Sequence, residues 1–140
     1  MPIVTPNFNF NGQCEEAIKL YEKAFNAQID FVLRYHEANP GDLKHPLTEE
    51  EKNYIFHSEI HIGSQRIMLS DNLDVPLEPS KCLGLVVTFD TPEEVQAAYE
   101  ILVNNGASII YPLHHTTYSS AQAALVDPFG FRWNIMTELN

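Results

Sequence analysis

Three residues of this chain alternate on what reads as one strand: His57, Glu59 and His61. Alternation puts all three on the same side. Two imidazoles and a carboxylate are donors that a divalent metal accepts. Residues four apart on a strand, however, stand about 13 Å from each other, so one ion cannot take both His57 and His61 without a further element. A polar wall held by hydrogen bonds is the plainer use of the trio. A second use is general-base chemistry, with His57 as proton acceptor and Glu59 as its supporting carboxylate. Candidate site residues of this enzymatic kind are therefore His57 and Glu59.

Other side chains group by the same periodicity. Arg66, Met68 and Ser70 share one face of a strand, and Arg132, Asn134 and Met136 share one face of another. If those faces line a cavity, Arg132 is a candidate anchor for an anion. Asn7 and Asn9 alternate with Phe8 and Phe10. The candidate ligand-binding set is Asn7, Asn9, His61, Arg66, Met68, Ser70, Val86, Arg132, Asn134 and Met136. His114 and His115 are adjacent and point opposite ways, so they read as loop surface beside Pro112. Tyr35 and His36 have no fixed direction. Cys14 lies near a helix start, where the dipole can activate a thiol, but a small buried residue is the simpler reading.

The elements that position these groups follow from spacing. Ile3 to Phe10 reads as a strand, ended by Asn11-Gly12. Cys14, Ala17, Ile18, Tyr21 and Phe25 recur at helical spacing from Gln13 to Phe25. Gln28 to Tyr35 is a second strand. Ala38 to Asn53 is a loop, with one helical turn opened by a capping box of Thr48 and Glu51. Tyr54 to Ile62 and Gln65 to Asp71 form a hairpin about Gly63-Ser64. Asn72 to Lys81 holds two prolines and is the best linker. Leu83 to Phe89 is a strand, and Thr91-Pro92-Glu93-Glu94 opens a helix that stops near Asn105-Gly106. Ala107 to Leu113, Ala121 to Val126 and Phe131 to Thr137 are strands, the last two joined by Asp127-Pro128-Phe129-Gly130.

Both halves thus read βαβββ. Glu15-Glu16 matches Glu93-Glu94, and Tyr21-Glu22 matches Tyr99-Glu100, at one offset of 78. The chain is an internal duplication. One domain over residues 1–140 is expected, with module one at about 1–71, a linker at about 72–82 and module two at about 83–140. The fold class is α+β.

Composition excludes several functions. Eight Lys+Arg stand against 19 Asp+Glu, a net charge of −11. That disfavours nucleic acid and anionic membranes as partners. No apolar run approaches the roughly 18 residues that span a bilayer, and the N-terminus does not read as a secretory signal. Two distant cysteines suggest no disulfide framework, so the expected location is cytoplasmic. No two glycines are close enough for a phosphate cradle or dinucleotide fingerprint, and no serine sits in a nucleophile elbow.

Paired βαβββ modules are similar to the vicinal oxygen chelate superfamily, which includes glyoxalase I, fosfomycin resistance proteins and extradiol dioxygenases. The run Phe8-Asn9-Phe10-Asn11-Gly12-Gln13-Cys14-Glu15-Glu16-Ala17-Ile18, with Tyr21 and Phe25, resembles the opening of its PhnB-like branch. So do His57-Ser58-Glu59-Ile60 and Ile67-Met68-Leu69-Ser70-Asp71. Asp127-Pro128-Phe129-Gly130-Phe131-Arg132-Trp133 resembles the closing motif. The branch usually has His where this chain has Phe131, and Trp-Gly near Tyr118-Ser119-Ser120. The resemblance implies curved half-sheets around a cavity, helices outside, and a homodimer. In metal-dependent members the ligands are His, Glu or Gln from the first and fourth strands of each module. Aligned on those motifs, this chain has Thr5, Met68, Gly84 and Asn134 there. The expectation is no metal and no cofactor. What remains is a small-molecule binder, an enzyme using the same cavity, or a structural dimer without ligand.

Overall fold

The computed structural model describes residues 1–80, 82–116 and 119–138. They fall into two compact units, Met1–Glu22 with Asn26–Leu77 and Lys23–Phe25 with Glu78–Asn140. The division falls within the proline-bearing segment after Asp71.

In the first unit, strands β1 (Asn7–Phe10), β2 (Gln28–Arg34), β3 (Ile55–Ile62) and β4 (Gln65–Asp71) form one sheet in the order β1-β4-β3-β2. β1 runs parallel to β4; the other pairs are antiparallel. The strand expected from Ile3 begins only at Asn7. Pro6 has no N–H to give a ladder, although its carbonyl accepts from Met68 N at 2.9 Å. Helix α1 (Cys14–Phe25) buries Ala17, Ile18 and Tyr21, with Tyr21 edge-on to Phe8 at 6.2 Å. Phe10, Ile60, Ile67 and Leu69 complete this core. Each such side chain contributes about 1.5–3 kcal/mol when fully buried.

The second unit repeats the plan. Strands β5 (Gly84–Phe89), β6 (Ser108–Thr116), β7 (Ser119–Val126) and β8 (Arg132–Thr137) stand in the order β5-β8-β7-β6, again with the outer pair β5 and β8 parallel. Helix α2 (Pro92–Asn104) packs on β7 and β8 through Val95, Ala98 and Leu102. Ala123, Leu125, Trp133 and Ile135 face it from the sheet. Thr91 caps α2 as its sequence requires, its Oγ1 accepting from Glu94 N at 3.2 Å. The chain leaves α2 through Gly106, whose φ of +99° a side chain would resist.

The duplication extends to irregularities. β2 carries a register shift between Ile29 and Phe31, and β6 one between Ile109 and Tyr111. The residue inside each bulge is Asp30 in one half and Ile110 in the other. Strand β6 reaches Thr116, so His114 and His115 lie on a strand and not in a loop as expected. Pro112 is tolerated because β6 is an edge strand. The Thr48–Glu51 capping box is present, with Thr48 N to Glu51 Oε1 at 2.9 Å and Glu51 N to Thr48 Oγ1 at 3.2 Å. It closes the turn that leads into a 3-10 turn at Glu51–Asn53, whose own N-cap position is Glu50. Tyr118 lies outside the described residues; Ser119 and Ser120 begin β7.

Candidate functional site

The candidate residues divide between the two sheets, each set on the face turned away from its helix. On sheet one, β3 supplies His57, Glu59 and His61, while Ser58 and Ile60 turn inward and are fully buried. Register places Glu59 beside Met68 and His61 beside Arg66. It then places Met68 beside Asn7 and Ser70 beside Asn9. Asn7, Asn9, His57, Glu59, His61, Arg66, Met68 and Ser70 therefore form one continuous surface.

Its chemistry centres on Glu59. One carboxylate oxygen lies 2.8 Å from His57 Nε2, and the other accepts from Arg66 Nε at 2.6 Å. These two bonds hold the Glu59 carboxyl below the usual range, the histidine bond contributing most. An ionised Glu59 orients His57 with Nε2–H toward it, leaving Nδ1 to accept a proton. Phe31, opposite Glu59 on β2, flanks the imidazole at 6.2 Å between ring centres. His61 does not join this group. Its Nδ1 lies 2.9 Å from both oxygens of Asp30, the bulge residue of β2. The trio seen in sequence is thus two separate histidine–carboxylate pairs.

On sheet two, Arg132, Asn134 and Met136 are half-buried on one face of β8, and Val86 lies beside Asn134 on β5. Arg132 Nε donates to Asn134 Oδ1 at 3.3 Å. Sequence reasoning missed Gln122, which register sets beside Met136. Its Oε1 is buried and has no hydrogen-bond partner. The alternation of Ala121, Ala123 and Leu125 inward was the signal that placed Gln122 on this face.

Two carboxylates that sequence did not single out turn out to be structural. Asp71, at the end of β4, accepts from Gly12 N at 2.8 Å, Cys14 N at 3.0 Å and Ile55 N at 2.9 Å. It serves as the missing cap of α1, whose own Gln13 gives none. Burial pushes its carboxyl up, and the three N–H bonds only partly offset that. Asp127 accepts from Phe129 N, Phe131 N and Trp133 Nε1, all within 3.0 Å. That explains why an Asp-Pro-x-Gly turn precedes a buried Trp. Cys14 is fully buried, and desolvation followed by the Asp71 charge pushes its thiol far up. It is no nucleophile. Tyr35, whose direction the sequence left open, is fixed: its hydroxyl donates to Asp71 O at 2.7 Å.

The chain matches the glyoxalase/bleomycin resistance protein/dioxygenase superfamily over residues 9–135. It belongs to that superfamily. Among curated relatives, the Escherichia coli protein YjdN is 24% identical, over 96% of this chain and 94% of its own. Among solved structures, Pseudomonas aeruginosa PA1353 is 26% identical with a TM-score of 0.82, covering 100% of both chains. The PhnB protein of Bacillus cereus is 24% identical with a TM-score of 0.79, over 97% of this chain and 99% of that one. The fosfomycin resistance protein FosX of Mesorhizobium loti shares the fold, with a TM-score of 0.64 at 12% identity over 99% of this chain and 92% of that one.

Superfamily members that use a metal draw its ligands from the outer parallel pair of each sheet. Of the four positions expected from the motifs, Thr5 precedes β1 and Gly84 stands beside Arg132, while Met68 stands beside Asn7 and Asn134 beside Val86. An amide, a thioether, an isopropyl group and a second amide do not make a divalent-metal donor set. The residues at these positions do not fit the metal. Among the described residues, no three His, Cys, Asp or Glu side chains come together as a metal-binding group. Among the same residues, no helix is long and apolar enough to cross a membrane.

Proposed function

We propose that this superfamily member is a metal-free, small-molecule-binding protein of the PhnB-like kind, working in the cytoplasm as a homodimer. One observation carries the reading. In each sheet the face away from the helix sets amide side chains beside methionine, with a hydroxyl on the first and a guanidinium on the second, a composition suited to holding a ligand and ill suited to a sealed core. Asn7, Asn9, Met68 and Ser70 supply it on sheet one. Val86, Arg132, Asn134 and Met136 supply it on sheet two. The donor chemistry at Asn7, Met68, Val86 and Asn134 supports the absence of a metal.

A second reading is favoured by the 2.8 Å bond between His57 and Glu59. With Glu59 fixed by Arg66, His57 can take a proton from a ligand at Nδ1, making the same face an enzyme.

One experiment separates them. Purified protein is analysed for zinc, nickel and manganese, then titrated calorimetrically with small carboxylates and phenols while NMR follows turnover. The binder reading expects substoichiometric metal, saturable heat, and no product from either wild type or His57→Ala. Product formation that His57→Ala abolishes moves the assignment to the enzyme. Stoichiometric metal, or no saturable heat with any compound, overturns the binder.

A further inference from the structure

The first half carries a segment with no counterpart in the second. Residues 35–54 connect β2 to β3, whereas β6 and β7 are joined through residues 117–118. This insertion folds over the start of the segment after β4 and lines an open pocket with Leu73 and Asp74. None of the sheet-face candidates lines it.

Its wall is aromatic and acidic. Tyr35 and Phe56 meet edge to face at 5.2 Å, and Leu43 adds an apolar side. The Tyr35 ring is fixed, since its hydroxyl is spent on Asp71 O. Asp42 and Asp74 bring two carboxylates. His45 also lines the pocket, its Nδ1 occupied 2.9 Å from Pro46 O. The Lys44 ammonium lies 3.2 Å from Asp74 Oδ2, on a side chain that is 74% exposed. A cation on a loose tether therefore already occupies this place. Burial pushes the Tyr35 hydroxyl up, and the charges of Asp74, Asp71 and Glu51 push it further, a sign of negative potential at the ring. Aromatic rings and carboxylates together favour an ammonium with an apolar body. The net charge of −11 favours cations in the same direction.

We infer that this pocket is a binding site for a small organic cation with an apolar body, with Lys44 as the internal competitor for Asp74. A primary ammonium would take the place of the Lys44 head and lay its apolar part against Tyr35, Phe56 and Leu43. The site is independent of the sheet faces, so it stands or falls apart from the function proposed above.

The test uses benzylamine, with benzyl alcohol and benzoate as uncharged and anionic matches, followed by amide shifts in two-dimensional NMR. Benzylamine is expected to shift signals of residues 42–47 and 73–74, and to bind at least ten-fold more tightly than either match. Asp74→Asn is expected to weaken it several-fold without changing the melting temperature, because Asp74 is exposed. Lys44→Ala is expected to tighten it several-fold. Salt is expected to weaken it. The proposal is overturned by no saturable shift, by equal binding of benzyl alcohol, or by shifts confined to the sheet faces. It is equally overturned if Lys44→Ala weakens binding, which would make Lys44 part of the site and not its rival.

Discussion

The two halves share a topology but secure it differently. In the second, α2 is capped locally by Thr91, three residues from the N–H it satisfies. In the first, α1 has no local cap and relies on Asp71, 57 residues away from Cys14. The same carboxylate ties down the start of β3 at Ile55. The second half does that job with neutral hydroxyls, Thr137 N donating to Ser119 Oγ and the Ser119 and Thr137 hydroxyls meeting at 3.2 Å. One half therefore concentrates in a single buried charge what the other spreads over three small side chains. A duplicated fold preserves the points that must be held, while the residues holding them are free to change.

The sharpest way to break the comparison is Asp71→Ala. It leaves two buried N–H groups, of Cys14 and Ile55, and the part-buried one of Gly12 without their acceptor. At roughly 1–3 kcal/mol for each such group, the loss is about 3 kcal/mol or more. Urea unfolding followed by circular dichroism measures it; a loss under about 1 kcal/mol would show that water replaces the carboxylate easily. Thr91→Ala, its counterpart, is expected to cost only about 1 kcal/mol, the usual worth of an N-cap. Equal costs for the two variants would erase the contrast between the halves.

A smaller effect tests the charge itself. Burial raises the Asp71 carboxyl, so the folded state holds that proton more tightly than the unfolded chain does. Its contribution is fully present in acid and declines as pH rises through the folded value. Glu15 and Glu59 are shifted the other way, by Arg34 and by His57 with Arg66, so their contribution is lost as pH falls. Asp71→Asn deletes only the first of these titrations. Its cost relative to wild type is expected to be larger near about pH 3 than near about pH 7. A cost that grows toward neutral pH would reverse the assignment.

Much of the fold was legible because its signals are local. Gly63-Ser64, Thr91-Pro92, Asn105-Gly106 and Asp127-Pro128-Phe129-Gly130 each state a turn or a cap within a few residues. The alternation of His57, Glu59 and His61 gave their shared face. What sequence could not supply was pairing across strands. That Met68 pairs with Asn7 depends on where β1 starts against β4. The split of the histidine trio depends on a bulge that brings Asp30 to His61. Asp71 was invisible because its partners lie 16 to 59 positions away. The face of Gln122 is set by alternation with buried Ala121 and Ala123, but its place beside Met136 again depends on cross-strand register.

That Cys14 is buried and Cys82 exposed has a practical meaning for how the molecule breathes. A thiol reagent meets Cys82 in the native state. It reaches Cys14 only when the α1 terminus lifts away from Asp71, because that thiol is both enclosed and held in its unreactive protonated form. The lag between the two modifications is then a clock for local opening of the first unit, with no probe added to the chain.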